Sequence, residues 1–232
     1  MNVSGASART ATAPIEPVRA FVMVVPLIRA AGSPVRALAP EAATVGVLGA
    51  GAQARWQTRA IDTVASPSDV RVYSPSDSRA ACATDLREER IPATVVDAPA
   101  AAVEGADVVV TATTASEPVF PPDSLSAGAL VVAIGAYTTE TRELAPAVVE
   151  DAAVVFADVP AEVVETGDFL GTDVGVEDLV ALGRLLGDGY EQQSPEGVRV
   201  VASVGSAVLD AAAGAHLYGR AREVGVGTEV SL

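Results

Sequence analysis

The stretch TVGVLGAGAQA (44–54) decides the fold. Thr44 to Gly49 is an apolar run short enough for a buried strand. Gly49-Ala50-Gly51-Ala52-Gln53-Ala54 follows it directly and fits G-x-G-x-x-A. Gly49 permits the tight turn, Gly51 lets a pyrophosphate approach the backbone, and Ala54 lets the next helix sit close to the strand. A helix opening at Ala52 aims its N–H groups and positive dipole end at those phosphates. Paired glycines occur at many strand-to-helix turns; here the pattern has the strand before it and the helix after it.

Outward from this turn, strands are expected at 69–73, 93–96, 107–111, 130–134 and 153–156, with helices at 52–64 and 77–90. Such alternation implies parallel βαβ units with right-handed crossovers, hence a Rossmann-type, doubly wound, mostly parallel α/β sheet. The strands are almost wholly apolar, as when both sheet faces are covered. The tail reads as helical. Apolar residues at 176, 179, 180, 182, 185 and 186 suggest one helix. A long C-terminal helix is expected from about 198 to 224, carrying Val200, Val201, Val204, Val208, Ala211, Ala212 and Ala215, and stopped by Gly225 and Gly227. Residues 1–40 hold five prolines and four arginines with little periodicity, and read as an irregular leader. The boundaries expected are therefore 1–40, 41–200 for the Rossmann domain, and 201–232 for the helix and tail.

Composition removes whole classes of chemistry. All 15 basic residues among the 232 are arginines, which excludes a Schiff-base lysine. One histidine, His216, and one cysteine, Cys82, cannot build a zinc site of the usual kind or a disulfide framework, so no metal is expected. Thirty acids give a net charge of −15, which argues against a nucleic-acid partner. Such acidity without lysine suits a high-salt cytoplasm, as in a halophilic archaeon, or an ordinary acidic cytoplasmic protein from a GC-rich genome. No run is long enough for a transmembrane helix, so no membrane partner is expected. Ala20 to Ile28 could be a short signal h-region or, the preferred reading, an apolar fragment that packs on the domain.

The end of the second strand selects the cofactor. An acid there would hold the ribose hydroxyls of NAD. Ser74 stands there instead, with Ser76 and Arg79 able to hold a 2′-phosphate, which favours NADP over NAD; Asp77 argues the other way. Ser76 and Asp77 could also simply cap the next helix. Thr111, Ala112 and Thr113 end the fourth strand, and Ile134 and Gly135 the fifth. Ligands of open α/β sheets lie at such strand ends, so these residues should line the cofactor. The threonines could equally serve as a cap or turn.

TVGVLGAGAQA (44–54), ADVVVTAT (106–113), EPVF (117–120), AIGAYTTETREL (133–144), ETGDFL (165–170) and SVGSAVLDAAAGAHLYGRAREVGVGT (203–228) together resemble the ornithine cyclodeaminase/mu-crystallin family, in the family's order. The resemblance implies hydride transfer between NADP, or alternatively NAD, and the C–N bond of an amino acid or cyclic imine. It points to an imine reductase or alanine dehydrogenase-like enzyme, assembled as a homodimer. It implies cofactor contacts from Gly49, Ala50, Gly51, Ala52, Gln53, Ser74, Ser76, Arg79, Thr111, Ala112, Thr113, Ile134, Gly135 and Gly205. Two departures stand out. Only 48 residues precede Gly49, fewer than in the family, and the lysine that holds the substrate carboxylate is absent. A truncated start is the expectation, with residues 1–40 an irregular leader or a remnant of the substrate and dimerisation domain; a non-catalytic dinucleotide-binding remnant is one alternative and an ornithine cyclodeaminase, a deaminating lyase, the other. Ornithine cyclodeaminases carry an aspartate after Gly-Ala, where Tyr137 follows Gly135-Ala136 here. Tyr137, the one catalytic candidate, could donate a proton or hydrogen bond, although a phenol titrating near 10 is a weak acid. Asp210 could face the cleft or the surface, and His216 reads as a surface or interface residue. Cys82 reads as a small core residue, and Gly167-Asp168 as a turn.

Overall fold

The computed structural model describes residues 31–187 and 196–228. The first element among the described residues is helix α1 (31–38). There follow β1 (Thr44–Leu48), α2 (Ala52–Ala65), β2 (Asp69–Tyr73), α3 (Ser78–Glu88), β3 (Ala93–Val95), α4 (Pro99–Val103) and β4 (Val108–Thr111). The second half runs β5 (Leu130–Ala133), α5 (Pro146–Glu150), β6 (Val154–Ala157), α6 (Pro160–Val163), β7 (Leu179–Ala181), α7 (Leu182–Leu186), β8 (Arg199–Ala202) and α8 (Ala207–Val224).

Among the described residues eight strands form one sheet in the order β3-β2-β1-β4-β5-β8-β6-β7, and every pairing is parallel. The chain winds outward from β1 in one direction through β3, then returns beside β1 as β4 and winds the other way. Alternation places successive side chains on opposite faces. Val108, Val110, Leu130, Val132 and Val201 join one apolar core, with Val35, Ala54, Ile61 and Leu86 from the covering helices. Val109, Val131, Val200 and Ala202 join the other, under Val103, Leu144, Val148 and Val149. The fold is thus the expected doubly wound α/β sheet.

Three expectations need correction. Residues 176–186 are not one helix. Val176–Asp178 is a 3-10 turn, Leu179–Ala181 pairs with β6 as Val155↔Leu179 to Ala157↔Ala181, and only Leu182–Leu186 is α-helical. Nor does the last helix begin near 198. Arg199–Ala202 is β8, wedged between β5 and β6, so the expected boundary at residue 200 falls inside a strand. A four-residue apolar run fits a buried strand as well as a helix, and its two neighbouring strand edges decide the matter. Ser206 caps the true start of α8, its hydroxyl accepting from Leu209 N at 3.3 Å. Finally, the irregular leader does not extend to 40. Residues 31–38 are helical and bury Ala31, Val35 and Leu38, one helix face. Ala20 to Ile28 lies outside the described residues.

Among the described residues no helix is long and apolar enough to cross a membrane.

Candidate functional site

A cleft of about 930 Å³ opens at the carboxyl ends of the strands, where the winding reverses between β1 and β4. Its floor is the turn from Gly49 to Gln53. Gly49 holds φ at +117°, and an added Cβ would strike the carbonyl of Ala112, so nothing larger fits. Gly51 is different: an added Cβ would meet no atom within 4 Å. Its missing side chain leaves space that only a ligand would use. α2 has no side-chain cap at Gly51, so its first-turn N–H groups keep their donor capacity. The Arg55 guanidinium binds the carbonyl oxygens of Ala50 and Gly51 and pairs with Asp85 through Nε at 2.7 Å, which fastens the turn from outside the cleft. A dinucleotide pyrophosphate fits this cradle on both counts, open space and free N–H groups.

Of the residues expected to touch the cofactor, Gly49, Ala50, Gly51, Ala52, Gln53, Ser74, Ala112, Thr113, Ile134 and Gly135 line the cleft, and so does Tyr137. Ser76, Arg79, Thr111 and Gly205 do not line it. Arg79 lies just behind, donating from Nη1 to the Ser74 carbonyl at 3.1 Å and pairing through Nη2 with the exposed Asp97 at 3.3 Å. A hydroxyl chain runs Ser74–Ser76–Ser78 at 3.3 and 2.6 Å, with Ser78 at the cleft wall. Asp77 stands at the N-cap of α3 without a side-chain cap bond, so the capping reading of that residue fails. Gly205 N donates to Asp158 Oδ2 at 2.8 Å, which holds the 203–205 loop against β6. Tyr137 is 60% exposed at the cleft mouth, its backbone N–H donating to Thr141 Oγ1 at 3.1 Å. Among the described residues Glu117 is the one charged side chain that lines the cleft.

Thr111 points away from solvent altogether and donates to Glu143 Oε2 at 2.7 Å. Glu143, fully buried, also accepts from Thr113 N at 2.6 Å and Gly135 N at 2.7 Å. Its own N–H and that of Leu144 donate to Asp168 Oδ1 at 2.6 and 2.8 Å. Burial pushes both carboxyls up, Asp168 to about 6, with the hydrogen bonds acting against it. Asp168 is therefore more than a turn residue. Neither acid stood out in the sequence as a site residue. The available signal was that they are acids inside short stretches, TTETREL after β5 and ETGDFL after α6, that lack lysine or arginine except Arg142.

A family model for the ornithine cyclodeaminase/mu-crystallin family matches residues 29–225. The chain belongs to this family. It is 32% identical over 205 residues to a Delta(1)-pyrroline-2-carboxylate reductase of Bacillus cereus, covering 83% of this chain and 62% of that protein. The chain thus spans about three fifths of the length of that relative. The structure of Thermococcus litoralis Delta(1)-pyrroline-2-carboxylate reductase in complex with NADH and L-proline superposes with a TM-score of 0.82 at 26% identity. That match covers 90% of this chain and 68% of the Thermococcus one. An archaeal alanine dehydrogenase dimer with bound NAD gives 0.79 at 25% identity, covering 89% and 66%.

The remaining candidates fall away from the cleft. Asp210 and His216 are exposed on α8. Cys82 is buried in α3, where burial raises its thiol. Among the described residues no three His, Cys, Asp or Glu side chains group as a metal site.

Proposed function

We propose that this cleft binds a nicotinamide dinucleotide, and that the whole protein uses it to reduce the C=N bond of a small cyclic imine carboxylate or to run the reverse oxidation. The observation that carries the reading is the pairing of Gly49, locked by its φ and by Ala112, with Gly51, open to the cleft at the head of α2. The family, and relatives named for pyrroline-2-carboxylate reduction, support the reaction class. A bound cofactor would supply the hydride; the chain would supply position and electrostatics. Gly49 to Gln53 would hold the pyrophosphate, and Thr113, Ile134 and Gly135 the nicotinamide half. Tyr137 would offer a hydrogen bond at the cleft mouth. Its presence after Ala136, in place of an aspartate, supports a reductase over a cyclodeaminase.

NADP(H) is the preferred form in this reading. The hydroxyls of Ser74, Ser76 and Ser78 lie beside the Arg79 guanidinium at the end of β2, a group that suits a 2′-phosphate. A homodimer is the assembly proposed, since α8 buries only Ala213 and exposes Val208, Tyr218 and Val224.

The test is a fluorescence titration of the purified chain with NADPH and NADH. NADPH should bind more tightly, and Arg79→Ala should erase the difference; tighter NADH binding refutes the NADP reading. Formation of proline from ornithine would refute the reductase reading.

A further inference from the structure

We infer that Glu143 is a positioning residue: its carboxylate sets the spacing of the β4 and β5 ends against which the nicotinamide half of the cofactor would lie. The inference rests on the dinucleotide reading above. β4 and β5 stay in register through Thr111↔Ala133, and Ile134 N still reaches the Thr111 carbonyl at 3.0 Å. Beyond that pair the strand ladder ends although the two chains stay close, the Thr113 carbonyl lying against Gly135, and the N–H groups of Thr113 and Gly135 have no strand carbonyl to bond. Buried N–H groups without acceptors are costly. One carboxylate satisfies both, Oε1 taking Thr113 N and Oε2 taking Gly135 N together with the Thr111 hydroxyl. All three partners donate, so the ionised form fits without a proton of its own.

The same residue also holds the loop after β4 further along its length. The Glu143 carbonyl accepts from Val119 N at 2.9 Å, and Arg142 N donates to the Ala115 carbonyl at 2.8 Å. Ala115 and Val119 line the cleft, as do Thr113 and Gly135. Glu143 therefore ties together the loop after β4 and the loop after β5 without lining the cleft itself. Its backbone is fixed in turn by Asp168, and Arg142 binds the carbonyls of Gly167 and Leu170 at 2.5 and 2.6 Å. Among the described residues no arginine forms an ion pair with Glu143, and hydrogen bonds from backbone N–H groups and threonine side chains are what act against the burial of its carboxyl. Gly135 has to be glycine for this: an added Cβ would lie 2.5 Å from the carboxylate.

A glutamine keeps the shape but turns one acceptor into a donor aimed at donors. With Glu143→Gln, affinity for NADH or NADPH should fall about tenfold or more, because bonds to a charged acceptor are lost at the nicotinamide side. Affinity for ADP-ribose, which lacks the nicotinamide ring and rests on the Gly49–Gln53 turn, should stay within about threefold. Calorimetry on the full chain reads both ligands. Thr111→Val, which removes one donor and leaves the carboxylate, should give a smaller fall for the dinucleotide with the same ADP-ribose affinity, and stands in should Glu143→Gln fail to fold. Equal losses for both ligands would mark Glu143 as merely structural and overturn the inference, as would no loss for either. If the unmodified chain binds ADP-ribose and neither dinucleotide, the dinucleotide reading itself fails.

Discussion

Replacing Asp168 with asparagine should stabilise this protein at neutral pH, although Asp168 is buried and hydrogen-bonded. The residue is 2% exposed, and burial outweighs its two N–H donors and the nearby Arg142 charge, so its carboxyl is raised from 3.8 to about 6. The folded state then holds this proton more tightly than the unfolded state does. Between about pH 4 and 6 the unfolded chain has released it while the folded chain still carries it, so the contribution to stability falls as pH rises and is flat above. The gap from 3.8 to about 6 corresponds to about 3 kcal/mol. Both N–H donors reach Oδ1 alone, so an asparagine can keep both bonds while carrying no charge. Urea unfolding at fixed ionic strength, from pH 4 to 8, provides the assay. Asp168→Asn and wild type should differ least near pH 4, and the variant should gain up to about 3 kcal/mol by pH 7. Parallel pH profiles for the two proteins would refute the reasoning.

Gly51→Val should leave the unfolding midpoint almost unchanged, within about 0.5 kcal/mol, since its Cβ meets open space; dinucleotide binding should nonetheless be lost, and a full-affinity variant would make the turn purely structural. Gly135→Ala should do the opposite to stability, losing several kcal/mol through a clash with Glu143 and the Thr113 carbonyl; an unaltered melting temperature would contradict the packing. Sedimentation in molar salt should show association through α8, strengthened as salt screens the −15 charge, and Val208→Asp should weaken it; a monomer with no dye-accessible apolar surface would count against this face.

The first six strands and the helices α2 and α3 were legible because their apolar runs are short and end in turn residues, whereas the short helices α4, α5 and α6 went unread. β7 and β8 were not legible either, for a physical reason. LVA (179–181) and RVVA (199–202) owe their conformation to neighbouring strand edges far away in sequence, and local spacing cannot register that. The cleft was legible where backbone chemistry demanded particular residues, as at Gly49 and Gly51. It was illegible where a side chain acts from behind, as Glu143 does. An acid in a polar loop looks solvated until the structure puts it beneath two strand ends. Thr111 shows the same limit from the other direction: its place at a strand end was correct, but its hydroxyl faces Glu143 rather than the cleft.

The place of β8 has a consequence for how the chain is made. Among the described strands it is the last in sequence, yet it is the third from the β7 edge, between β5 and β6. As the polypeptide leaves the ribosome, β6 and β7 emerge before the strand that joins them to the rest. Until residues 199–202 follow, β5 and β6 each present an unpaired edge, the kind that captures strands from other chains. Arg199 then secures the arrival, its guanidinium donating to the carbonyls of Leu38 and Gly128 at 2.8 and 2.6 Å. The sheet is closed from its interior, late in translation, by four residues.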